Sequence, residues 1–197
     1  TFGAALDGRL VRPDASEYAL AHQLFDPRFD SIHPEGIAFC ASSADVQRSI
    51  AFARAHDLPF TARCGGHSYE GYSTCPGLVC DVGPLSSITV NAAERTAVIG
   101  AGARLIDIYD AVGTAGLALP GGTCPSVGIS GLARGGGQGV VGRKVGLTCD
   151  SIAALRIVTA AGEVLTCDEA TNADLFWAWR GGGGGNFGVV TSFTFRL

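Results

Sequence analysis

The residue types that could do chemistry cluster in four glycine-rich segments. The first, Arg63-Cys-Gly-Gly-His67-Ser-Tyr-Glu-Gly71-Tyr72, follows a predicted strand. Successive backbone N–H groups in such a run can close around an anion, and Gly65 and Gly66 can take conformations closed to other residues. A lone histidine usually has a structural role. His67 stands beside the proposed nest, and that placement gives it a functional reading. The second segment, Pro120-Gly-Gly-Thr-Cys124-Pro-Ser-Val-Gly128-Ile-Ser-Gly131, puts a thiol between a glycine pair and a proline. A free cysteine is commonly a small core residue, but one on an irregular loop is placed to react. The third runs from Gly135-Gly-Gly-Gln-Gly139 through Gly142-Arg-Lys-Val-Gly146-Leu-Thr-Cys-Asp150. The fourth is Trp177-Ala-Trp179-Arg and five glycines, then Asn186-Phe-Gly188-Val-Val190. A five-glycine run can be a mere flexible turn; the strand pattern after it favours an ordered backbone site.

Several better-known motifs fail by one residue. Gly100-Ala-Gly102-Ala-Arg-Leu105 has two of the three dinucleotide-binding glycines, with Leu105 in place of the third. Gly142-Arg143-Lys144 is one residue off a Walker lysine, and neither Ser nor Thr follows. Gly128-Ile129-Ser130-Gly131 is one residue short of a hydrolase elbow.

Composition narrows the classes further. Of 197 residues, 47% are hydrophobic and 16% charged, enough apolar material for one domain or two small subdomains sharing a surface. A net charge of −4 argues against a general nucleic-acid binder, which shows a basic field. Glycine is the outlier at 29 residues, roughly twice the usual share of about 7%; fourteen fall between Gly100 and Gly146 and six between Gly181 and Gly188. The uncharged stretch Ala111–Ala133 is long enough to span a membrane, but its six glycines and two prolines reject a transmembrane helix. Seven cysteines, with no C-x-x-C pair, exclude a zinc ribbon and argue against a disulfide scaffold. The chain starts at Thr1 and has no methionine, so the expectation is a removed leader or a piece of a longer protein; it does not assign a compartment.

The elements that must position these segments follow from periodicity. Ile37–Ala41 reads as a strand, and Ser42 or Ser43 caps a helix with Val46, Ile50 and Ala53 on one face. Pro59–Arg63 is the next strand, so the order predicts a small parallel unit. Leu78–Val82 is a further apolar run. Ala97–Ile99 leads into a helix from about Arg104 to Ala115 carrying Leu105, Ile108, Tyr109 and Val112. Ile152–Ala160 and Glu163–Cys167 form a hairpin about Ala161-Gly162, Asp174–Arg180 a helix, and Val189–Leu197 a last strand. Cys40 and Cys80, in apolar strands, read as core.

Taken together and in order, R-x-G-G-H, G-x-C-P-x-V-G-I-S-G, G-L-x-x-D and G-G-N-F-G-V-V resemble the flavin-binding half of the berberine bridge enzyme-like oxidases. That group lies in the p-cresol methylhydroxylase and vanillyl alcohol oxidase superfamily. The likeness runs from about Pro34 to Leu197. It implies an α+β fold of two subdomains, roughly residues 1–90 and 91–197, with FAD in the crevice between them and the substrate domain absent from this chain. The family's histidine bonded to the flavin 8α-methyl matches His67, and the cysteine bonded to flavin C6 in its bicovalent members matches Cys124. Neutral imidazole and thiolate are the nucleophiles such attachment needs. The resemblance also implies cofactor contacts from Arg63, Cys64, Gly65, Gly66, Ser68 and Gly71, from Gly122, Thr123, Gly128, Ser130 and Gly131, from Gly139, Leu147 and Asp150, and from Gly185, Asn186, Gly188 and Val190. Gly65–Ser68 would take the pyrophosphate.

What the resemblance implies functionally is an FAD-linked oxidase. A small-molecule substrate (a sugar, alkaloid or secondary metabolite) would give hydride to flavin N5, and oxygen would reoxidise the flavin. No metal, nucleic acid or membrane is expected. The alternatives are a flavin-binding fragment or subunit inactive alone, and a flavin dehydrogenase with another acceptor. The sequence departs from its relatives at Cys64, where many have serine, and at Leu132, where some have histidine. The family's usual catalytic base lies beyond the matched region, so no general base is named.

Overall fold

A computed structural model describes residues Thr1–Leu197. Two sheets divide the strands. The first comprises β1 (Arg9–Val11), β2 (Gly36–Phe39), β3 (Phe60–Arg63) and β4 (Leu78–Asp81), in the order β1-β2-β4-β3. β4 is parallel to both β2 and β3, with Ala38 and Ala62 each opposite Cys80. The strand–helix–strand unit is therefore parallel, but β4 is inserted between its two strands. β4 is buried at all four positions, as a central parallel strand covered on both faces must be, which is why Leu78–Cys80 is apolar and Asp81 carries the one charge. β1 closes one edge antiparallel to β2.

The second sheet is antiparallel throughout: β5 (Ile88–Asn91), β6 (Thr96–Gly100), β7 (Ile152–Val158), β8 (Val164–Asp168) and β9 (Val189–Arg196), in the order β5-β6-β9-β7-β8. The last strand of the chain sits at the centre. Its alternation buries Phe193 and Phe195 and leaves Ser192 and Thr194 partly exposed, the period-two pattern of a strand with one face on the core.

Helices fasten the two sheets together. α1 is a single turn, Tyr18–Ala21. α2 (Ser43–Ala55) starts where the Ser42 hydroxyl accepts from the Asp45 N–H at 3.1 Å, a standard N-cap. Asp45 is itself buried. Burial opposes its ionisation, but bonds from the N–H groups of Asp7, Ala41 and Gly8 and from Arg48 outweigh it and hold its pKa below the ordinary carboxylate value. α2 then reaches across to the second sheet: Gln47 Nε2 donates to Gly162 O at 2.6 Å and Arg54 Nη1 to Ala160 O at 2.9 Å.

α3 (Leu105–Thr114) buries Leu105, Ile108 and Val112; α4 is Ile129–Arg134, α5 Gly142–Val145, and α6 Ala173–Gly181. α6 sends Phe176 and Trp179 inward, Trp179 packing on Phe193 at 5.3 Å between ring centroids. One cluster of 30 buried residues, from Ala38, Cys40 and Cys80 to Phe195, runs through both sheets. All seven cysteines are free. No helix is long and apolar enough to cross a membrane.

Candidate functional site

The site is built where loops from the two sheets meet. β3 ends at Arg63, whose Nε donates to Asp81 Oδ2 at 2.6 Å; both side chains are buried. This pair ties the end of β3 to the end of β4 and sets the takeoff of the loop that carries His67. The Arg63 Nη1 atom is also buried and has no partner in the chain. Gly66 takes φ +70° and Gly71 φ +72°, a region open to glycine at no steric cost.

The opposing loop is anchored on α3. Leu105 N donates to Val127 O at 3.0 Å, Ile106 N to Pro125 O at 3.1 Å, and Ile129 N to Ala103 O at 2.9 Å. Tyr109 Oη donates to Gly122 O at 2.6 Å and Thr148 Oγ1 to Pro120 O at 2.7 Å. The two loops touch backbone to backbone. A Cβ on Gly65 would lie 2.5 Å from Gly128 N, and one on Gly128 would lie 2.0 Å from Cys64 Sγ. These glycines are thus required by contact within the chain.

This juncture brings His67 and Cys124 together. His67 Nε2 lies 3.0 Å from Ser126 Oγ, and Cys124 Sγ lies 3.8 Å from the same oxygen. One face of the imidazole stacks on Phe25, centroids 4.1 Å apart and planes 21° apart; Phe25 is fixed by its N–H donating to Gly66 O at 3.1 Å. Burial, then the positive charge of Arg104, lowers the His67 pKa. His67 is therefore a neutral imidazole at pH 7, with one ring nitrogen unprotonated. Cys124 is half-buried. Cys64 differs: its thiol is pushed by burial up to about 11 and donates to Ala101 O at 3.1 Å, so it is held protonated.

The remaining residues divide by what holds them. Ser68 Oγ accepts from Tyr72 N at 3.1 Å, closing the first loop. Thr123 is exposed, and a Cβ on Gly122 would make only ordinary contacts, the nearest at 3.5 Å. Ser130 is buried and donates to Ala101 O. A Cβ on Gly139 would lie 1.8 Å from Gly121 O, and one on Gly188 would lie 2.3 Å from Val158 O; both are close-packing glycines. Leu147 N donates to Asp150 Oδ2 at 2.8 Å, and Asn186 Nδ2 to Gly182 O at 2.8 Å. Val190 is buried on β9 opposite Ile157. Gly131 and Gly185 stand apart, because a Cβ on either would meet no atom of the chain within 4 Å. Nothing within the protein demands glycine at Gly131, and at Gly185 only φ +84° does.

A separate cleft of about 420 Å³ is lined by Asp150, Trp177, Arg180 and Phe187 among others, with neither His67 nor Cys124 in its wall. Sequence reasoning missed Phe25, Ser126 and Asp81. Ser126 could have been found, two residues from Cys124 on the same loop. Phe25 left no signal, since it comes from an irregular segment far ahead of His67 and is itself mostly exposed.

Residues 34–168 match the family described as an FAD binding domain. The chain is 41% identical over 196 residues to YgaK, an FAD-linked oxidoreductase of Bacillus subtilis, covering 97% of this chain and 43% of that protein. It is 37% identical to the (R)-6-hydroxynicotine oxidase of Paenarthrobacter nicotinovorans, covering 98% and 42%. Among solved structures, wild-type BBE-like 1 of Physcomitrella patens superposes with a TM-score of 0.94 at 39% identity, covering 99% of this chain and 43% of that one. The chain thus spans less than half the length of these relatives.

Proposed function

The chain belongs to the FAD-binding-domain family of berberine bridge enzyme-like, FAD-linked oxidoreductases, and from that premise we propose that it is the cofactor-holding part of an oxidase whose FAD is attached twice, through His67 and Cys124. The observation that carries this is the meeting of the two side chains around one hydroxyl. His67 and Ser126 are 59 positions apart in sequence, yet Ser126 Oγ lies within reach of both nucleophiles. Burial keeps His67 unprotonated, the form that can make a bond to carbon. Phe25 and Ser126 fix its ring from the face and the edge. Cys64, the other thiol near the loop, is held protonated at Ala101 O.

The residues fit FAD on further grounds. Gly131 and Gly185 present bare backbone to open space, as a surface that receives a large flat group must. The buried, unpartnered Arg63 Nη1 and the N–H run of Gly65–Ser68 suit an anionic group such as a diphosphate. Bound FAD would accept a hydride at N5 from a substrate C–H bond and pass the electrons to oxygen. The chain's own share is to hold the ring, exclude competing nucleophiles and present the tethers. The oxidase named among the relatives supports oxygen as acceptor and an alkaloid-type substrate, with sugars and other secondary metabolites in the same proposed range. No residue here is assigned as substrate base.

A second reading is favoured by the length ratio, 43% of YgaK: the chain binds flavin but turns nothing over alone. One experiment decides among the readings. Substrate candidates are offered to the complete polypeptide under air and hydrogen peroxide is measured, with an artificial electron acceptor in parallel. Peroxide equal to substrate consumed is the expected result. Turnover only with the artificial acceptor makes it a dehydrogenase, and flavin with no turnover in either assay makes it the inactive fragment.

A further inference from the structure

Residues Leu24–Phe29 lie as a strap along the loop that carries His67. Asp26 shapes the strap: its Oδ1 accepts from Arg28 N at 3.0 Å and caps the single turn Pro27–Phe29. Its Oδ2 accepts from Arg28 Nε at 2.9 Å and Nη2 at 2.7 Å, which holds the guanidinium in place. The strap then meets the loop at Gly66, His67, Tyr69 and Gly71. The Leu24 side chain lies 3.4 Å from the position a Cβ on Gly66 would take. Phe25 N donates to Gly66 O at 3.1 Å, and the Phe25 ring stacks on His67. Arg28 Nη2 donates to Tyr69 O at 3.1 Å. The Phe29 ring fills the space beside Gly71, where a Cβ would lie 2.6 Å from two of its carbons.

Phe25 is left 59% exposed, so burial of its own surface does not explain where it sits. Its place is set by the bond to Gly66 and the stack on His67. An imidazole held only at its edge by Ser126 can still swing about that bond; a ring against its face removes the freedom. None of these contacts reaches the Cys124 loop, which hangs separately on α3 and on Tyr109 and Thr148.

We propose that the strap positions the His67 tether alone: Phe25 holds the imidazole plane at the angle from which it bonds the flavin, and the Cys124 tether forms without it. This rests on the doubly attached FAD reading above. Phe25 is a positioning residue and makes no bond itself. In the attachment it serves, a His67 ring nitrogen bonds the flavin 8α carbon, and the methyl C–H and the imidazole N–H are broken. The two protons and two electrons released end on dioxygen, which becomes hydrogen peroxide.

The test uses the complete polypeptide, freed of flavin by growth under riboflavin starvation, in two single-tether parents. Cys124→Ala leaves only His67 to attach, and His67→Ala leaves only Cys124. FAD is added under air, its Kd is read from flavin fluorescence, and flavin retained on acid-denatured protein is followed with time. Phe25→Ala should slow attachment about tenfold to a hundredfold in the Cys124→Ala parent, the cost of a misplaced reacting group. It should leave attachment in the His67→Ala parent, and FAD affinity in both, unchanged. Phe25→Tyr, which keeps a ring on the imidazole, should restore the rate. Arg28→Met cuts the bond to Tyr69 at an exposed position; it should slow His67 attachment with the same selectivity, and it decides the matter if Phe25→Ala does not fold. Equal slowing in both parents would overturn the proposal and mark the strap as general support for the fold. So would an unchanged rate for Phe25→Ala in the Cys124→Ala parent. A Cys124→Ala parent that retains no flavin would overturn the attachment reading itself, and this proposal with it.

Discussion

At the scale of the residue, the site depends on a hydroxyl. Ser126 Oγ is 3.0 Å from His67 Nε2 and 3.8 Å from Cys124 Sγ, so one rotor can hold the imidazole by its edge while facing the thiol. Losing such a bond costs about 1 kcal/mol, and 1.36 kcal/mol corresponds to about tenfold in rate or equilibrium. Ser126→Ala should therefore leave the amount of FAD bound unchanged but slow its covalent incorporation by up to about tenfold. The time course of flavin retained on denatured protein, after FAD is added to flavin-free protein, checks this; a rate equal to the unmutated protein's would show that the hydroxyl orients nothing. His67 and Cys124 were legible because glycine and proline around a reactive side chain are visible in the sequence itself. Phe25 was not. An exposed phenylalanine in an irregular segment acquires meaning only when the chain folds it against something.

At the scale of the element, the glycines separate into two kinds that composition cannot tell apart. Gly65, Gly128, Gly139 and Gly188 are small because another strand of backbone or a sulfur lies against them. Gly131 is small although nothing in the chain crowds it. The substitutions should therefore differ in kind. Gly128→Val drives a β-branched group into Cys64 Sγ and Gly65 N, and overpacking of this sort typically costs about 1–3 kcal/mol; its thermal midpoint should drop. Gly131→Val should melt close to the unmutated protein yet carry little flavin, because its methyls stand where the cofactor is proposed to lie. Flavin-to-protein ratio on the folded fraction, beside a thermal melt, separates the two. A full flavin load on folded Gly131→Val would show that α4 does not line the cofactor. β2, α2, β3, the β7–β8 hairpin and β9 were readable from their periods. β1, at three residues, is too short to establish a period. α4 was hidden by the glycines on either side of it, which read as loop.

At the scale of the whole molecule, the site exists only because two sheets dock. The loop of His67 leaves the first sheet, and the loop of Cys124 is hung on α3, which follows a strand of the second. They are held in register by α2, which bonds across to the β7–β8 turn, and by the core that runs through both sheets. The length leaves room for two subdomains, and the family resemblance implies them. The sequence does not show that β4 inserts between β2 and β3, since insertion is decided by long-range pairing that leaves no local trace. It also does not show that the terminal strand becomes the centre of the second sheet. The central claim is that this docking delivers His67 and Cys124 to one flavin. The most direct measurement is intact mass and visible spectrum of the purified protein after denaturation in acid. The account predicts a yellow polypeptide heavier by one FAD, with peptide mapping placing the flavin on both His67 and Cys124, and a single remaining tether at Cys124 in His67→Ala. Flavin released entirely to the supernatant, or found on any cysteine other than Cys124, would contradict it.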